Sequence, residues 1–61
     1  MKKYKVTLVC RRSNRDDLIR TKEVAASSIK KAVNLAKNLA FLGTSIGVEK
    51  WKVKFIVELN N

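Results

Sequence analysis

Two groups of residues carry enough chemistry to suggest a function, and both would hold anions. The first is cationic: Lys3 and Lys5 near the start, Arg11, Arg12 and Arg15 within one polar stretch, and Lys50, Lys52 and Lys54 near the end. Side chains two residues apart on a strand point to the same face. This spacing therefore gathers ammonium groups on one surface, where they repel one another unless a counter-charge such as phosphate arrives. The second group is Ser27, Ser28, Lys30 and Lys31. At a helix start, serine hydroxyls, free amides and two lysines surround an anion well, whereas without one the lysines oppose the helix dipole. Lacking a ligand, the first group is a solvated face whose lysines guard a sheet edge against aggregation, and the second is a pair of surface lysines tolerating a small penalty.

Catalysis has no comparable set. Histidine is absent, and the single cysteine, Cys10, falls on the inward parity of its segment, where a thiol behaves as a small hydrophobe. Asp16 and Asp17 adjoin in the arginine-rich stretch and suit turn hydrogen bonding better than a carboxylate pair. Metal-ligand spacings, phosphate-binding glycine loops and dinucleotide fingerprints are missing. The expectation is a protein without catalytic residues, metal or cofactor.

The elements that must position these charges follow from periodicity. Tyr4, Val6, Leu8 and Cys10 alternate with Lys3, Lys5, Thr7, Val9 and Arg11, which predicts a half-buried strand. Residues 11–17 are wholly polar and read as a hairpin loop. Residues 18–26 form a second strand of poor alternation, since Arg20 and Lys22 share parity with Val24 and Ala26; that suits an edge or a bulged strand. Ser27 or Ser28 then caps a helix whose apolar stripe is Ile29, Ala32, Val33, Ala36, Leu39 and Ala40, with Gly43 as its stop. Phe41 falls near the polar side beside Leu42, so either the helix bends away there or Phe41, Leu42 and Ile46 make an exposed patch. Last, Trp51, Val53, Phe55, Val57 and Leu59 alternate with Lys50, Lys52, Lys54, Ile56 and Glu58.

The order β-β-α-β predicts an α+β fold: a three-stranded, mainly antiparallel sheet with one helix on one face, joined by a right-handed crossover. Its expected core is the helix stripe against Tyr4, Val6, Leu8, Trp51, Val53, Phe55 and Val57. The opposite face would then carry Lys3, Lys5, Arg11, Lys50, Lys52 and Lys54, with Thr7, Val9 and Ile56 among them and Glu58 as its acid. No aromatic falls there, so phosphate contact is expected rather than base stacking.

Length and composition agree with one small domain over residues 1–61. Hydrophobic residues make up 46% of the chain, with no proline and two glycines, which is unlike a disordered tail. No apolar run reaches the length of a membrane span. One cysteine and no leader-like segment point to a reducing cytoplasm. The net charge of +9 favours an anionic partner.

One combination is familiar. Thr21-Lys22-Glu23-Val24-Ala25-Ala26, the helix after it, then Gly43-Thr44, Val48-Glu49-Lys50 and Lys52-Val53-Lys54-Phe55 together resemble the archaeal large-subunit ribosomal protein LX family. The resemblance implies a small β-β-α-β protein that binds ribosomal RNA. The same plan is similar to that of small bacteriophage accessory proteins, including antitoxin-type inhibitors of host RNA-degrading enzymes, which implies instead an acidic host protein as partner. The leading expectation is a non-catalytic module that contacts structured RNA through phosphates. The alternative is an inhibitor or adaptor on an acidic protein. A homodimer through an unused sheet edge is a third arrangement.

Overall fold

The computed structural model describes residues 1–59. The N-terminal alternation builds β1 (Lys2–Cys10), and the polar turn after it leads into β2 (Leu18–Ala26). These strands pair antiparallel along their whole length, from Lys2 opposite Ala26 to Cys10 opposite Leu18. Arg12 fastens the turn, its Nε and Nη2 both donating to the Asp16 carbonyl at 3.0 and 2.8 Å. β3 (Lys52–Leu59) pairs antiparallel on the other side of β1, giving the order β2-β1-β3. β2 and β3 therefore run parallel, and α1 (Ile29–Thr44) carries the chain between them. This is the α+β plan that the periodicity predicts. β2 is indeed an edge strand, but its pairing is regular; the irregularity lies in β3.

Both helix ends are capped by serine. Ser28 Oγ accepts the Lys31 amide at 3.3 Å while its carbonyl accepts the first intrahelical bond, from Ala32. At the other end the expected stop at Gly43 is overturned. Thr44 Oγ1 donates to the Ala40 carbonyl at 2.7 Å and accepts the Ile46 amide, which holds the last turn helical. Ser45 then takes the left-handed conformation (φ 63°), its amide donating to the Phe41 carbonyl. A short 3-10 turn at Val48–Lys50, unforeseen in the sequence, delivers Trp51 into the core.

The helix packs through its smallest residues. Ala32, Ala36 and Ala40 are buried against Tyr4, Val6, Leu8, Cys10, Val24, Ala26 and Trp51, with Leu18, Ile46 and Ile56 at the margin. Side chains this short let α1 lie close on β1 and β2, which are the strands it packs against. Ile29 and Leu39, expected in the buried stripe, are exposed, as are Phe41 and Leu42; Ile46 joins the core margin instead.

The expected core is also wrong along β3. Val53, Phe55 and Val57 are 37%, 52% and 46% exposed. A β-bulge separates two registers: Val9 opposite Lys52 and Leu8 opposite Val53, then Thr7 opposite Phe55, Val6 opposite Ile56, Lys5 opposite Val57, Tyr4 opposite Glu58 and Lys3 opposite Leu59. Lys54 is the extra residue, without a partner on β1. Directly paired residues share a face. Val53 thus keeps the helix side, but Phe55, Val57 and Leu59 turn to the open side and Ile56 and Glu58 leave it. The cause is the narrow helix: with β3 beyond its cover, neither face of that strand is strongly favoured by burial.

Candidate nucleic-acid interface

The open face can be read as four rows crossing the sheet from β2 to β3. They are Ile19–Val9–Lys52, Thr21–Thr7–Phe55, Glu23–Lys5–Val57 and Ala25–Lys3–Leu59. Three lysines and one glutamate are the charges of these rows. In the second row the Thr7 and Thr21 hydroxyls meet at 3.2 Å, and Thr7 is nearly fully buried although it lies on the open side. Phe55 flanks it on β3 and stays half-exposed, so the face carries an aromatic ring after all. This reverses the expectation of a face without one. Sequence reasoning missed it because the alternation through residues 50–59 looks unbroken. The available signal was the outward series itself, which changes character after Lys54, where Ile56 and Glu58 replace lysine.

Beyond the first row, Val9, Arg11, Glu49, Lys50 and Lys52 line a surface pocket of about 270 Å³. Arg11 follows β1, Lys50 ends the 3-10 turn and Lys52 opens β3, so three elements bring three cations and one carboxylate together. Lys3, Lys5, Arg11, Lys50 and Lys52 are all exposed and belong to this face or its end.

The other expected residues stand differently. Lys54 is exposed but sits in the bulge, outside the ladder. Arg12 is half-buried and already spends two donors on the Asp16 carbonyl, so part of its role is structural. Arg15 is exposed in the hairpin loop. Glu58, on the helix side, pairs with Lys2 at 3.3 Å. Ser27, Ser28, Lys30 and Lys31 begin the helix, on the opposite side of the sheet and beyond Ala26, whose partner is Lys2 at the far end from the pocket. They therefore form no common site with the lysines of the open face, and the Ser28 hydroxyl already serves as the cap.

Among the described residues, no cluster of cysteine and acidic side chains could hold a metal ion, and no helix is long and apolar enough to cross a membrane. Cys10 is a buried free thiol. Compared with protein-family models, with curated proteins and with solved structures, the chain matches none.

Proposed function

We propose that this protein is a non-catalytic nucleic-acid-binding module, with structured RNA as its natural ligand, acting in a reducing cytoplasm where Cys10 remains a thiol. The observation that carries the reading is the distribution of charge on the open face. Lys3, Lys5 and Lys52 lie along the sheet, Arg11 and Lys50 extend them at one end, and only Glu23 and Glu49 oppose them. Such a surface suits the phosphate backbone, which orients a ligand without reading its bases. The resemblance to the ribosomal LX family points the same way.

Salt dependence tests the proposal. Cations that contact phosphates release condensed counterions, so three to five contacts predict a slope of log K against log salt of roughly −2 to −4. Lys5→Gln together with Lys52→Gln should weaken binding to unrelated RNA sequences about equally and flatten the slope by nearly two contacts. An acidic protein partner would show a shallow salt dependence and sensitivity focused on a few buried anchors. Absence of binding to any RNA at low salt would refute the proposal.

A further inference from the structure

We infer that the open face takes an unpaired stretch of the nucleic acid, with one base stacked on Phe55 and a neighbouring phosphate held in the pocket of Arg11, Lys50 and Lys52. The inference rests on the nucleic-acid reading and narrows it from phosphate contact alone to contact with an unpaired segment of that RNA. Three observations carry it.

Phe55 is 52% exposed although it sits within a strand, and its neighbour across the sheet is the small Thr7, itself held to Thr21 at 3.2 Å. Within its own row the ring is thus bordered by the short side chains of Thr7 and Thr21, which leave room for a flat ligand. Such a ring binds any unpaired base, because every base offers a π-face, whereas a duplex keeps its faces stacked inside. Next, the pocket begins one row away: Val9 lines its near edge and Thr7 pairs with Phe55, so that edge is about 7 Å from the ring along β1 and Arg11 about 13 Å. The nearer separation is one that adjacent groups of one nucleotide chain can bridge. Finally, the charge fits an anion despite Glu49, since three cations line the pocket with it, and Lys5 borders Phe55 on the other side, in the next row. A purely apolar partner would leave these charges without counter-ions.

The test compares a short oligouridylate, which stacks little on itself, with a blunt RNA duplex at the same low salt. Phe55→Leu, which keeps an apolar side chain on the strand, should weaken oligouridylate binding by roughly tenfold or more. It should leave both the duplex affinity and the salt slope unchanged. Phe55→Trp should bind oligouridylate at least as well as wild type, and the indole introduced there should be quenched on binding while buried Trp51 is not. Lys52→Gln should weaken both ligands and flatten the slope by about 0.7 for the single strand. If Phe55→Leu binds oligouridylate like wild type, or the new indole is not quenched, the stacking inference is overturned; the nucleic-acid reading stands in that case provided Lys52→Gln still weakens binding. If wild type binds neither RNA, both fall together.

Discussion

Replacing Phe55 by alanine tests the bulge on which the open face depends. In an unbroken register Phe55 would face the helix side and its loss would resemble that of any core residue, about 3–5 kcal/mol. In the structure the ring is 52% exposed. Full burial of a phenylalanine contributes roughly 1.5–3 kcal/mol, so half of it gives about 0.7–1.5 kcal/mol. The lost cross-strand contact with Thr7 adds roughly 0.2–1 kcal/mol. The expected cost is therefore about 1–2.5 kcal/mol. Leu8→Ala is the comparison, because Leu8 is fully buried and its truncation costs about 2–5 kcal/mol. A chain of 61 residues has roughly 3–9 kcal/mol of stability in total, so Leu8→Ala approaches complete unfolding and Phe55→Ala does not. Urea titration followed by Trp51 emission reads both, since Trp51 is buried and shifts red when solvent reaches it. With a slope near 1 kcal/mol per molar urea, Phe55→Ala should lower the midpoint by about 1–2.5 M. If it lowers the midpoint as far as Leu8→Ala does, Phe55 is a core residue and the bulge is misplaced.

The remaining predictions concern the helix end and the thiol. A Cβ added at Gly43 would meet nothing within 4 Å, so Gly43→Ala should stabilise by about 0.5–1 kcal/mol through helix propensity. Ser45→Gly should stabilise by up to about 1 kcal/mol by relieving the left-handed backbone; destabilisation by Gly43→Ala in thermal melts would show that Gly43, not Ser45, ends the helix. Ser28→Ala should cost about 1 kcal/mol through loss of the cap and leave RNA affinity unchanged; a fall in affinity would place the ligand at the helix start after all. Cys10 should react with a maleimide only as fast as the domain opens, and rapid labelling of the native protein would mean that β1 presents it outward.

Most of the fold was legible because most of it obeys a single period. β1 has one continuously buried face, and Tyr4, Val6, Leu8 and Cys10 are all buried as their alternation requires, while Lys3 and Lys5 on the other side are exposed. The polar turn and the serine cap carry local signals that tertiary packing does not override. The helix stripe was half legible. Alanine and leucine both count as apolar in a pattern, but only Ala32, Ala36 and Ala40 are small enough for the close approach to the sheet, and Leu39 is left outside. Gly43 misled for a related reason: the left-handed position follows from where the last hydrogen bonds close, and Thr44 closes them one turn-step later. β3 was the hardest element despite the cleanest alternation. Period two says which residues share a face but not which face, and a bulge exchanges the faces midway. Of the cationic site, Lys3, Lys5, Arg11, Lys50 and Lys52 were legible from charge and parity; Phe55 was not.

The bulge also changes how the free protein tolerates its own charge. A continuous register from Leu8 and Val53 would place Lys54 opposite Thr7, in the row between those of Lys52 and Lys5, and would replace the aromatic there, while bringing Glu58 opposite Lys3. In the observed register Phe55 takes that place, and Lys5 lies between Glu23 on β2 and Val57 on β3. Lys52, opposite Val9 on the near side of the bulge, lies two rows from Lys5, about 13 Å along β1, with no lysine in the row between them. That exceeds the screening length of about 8–10 Å at ordinary ionic strength, so the two repel weakly when the face is empty. The repulsion that an alternating lysine strand would impose is thereby reduced along β3, and Glu23 offsets Lys5, but Lys3 and Lys5 still occupy adjacent rows and Arg11, Lys50 and Lys52 still share one pocket. Under the proposed nucleic-acid reading, the same spacing selects what kind of anion fits. A compact ion reaches the Arg11, Lys50 and Lys52 pocket or Lys5, but not both. A polynucleotide strand laid along β1 meets the pocket, Phe55, Lys5 and Lys3 in turn, with a cation or a ring at each row.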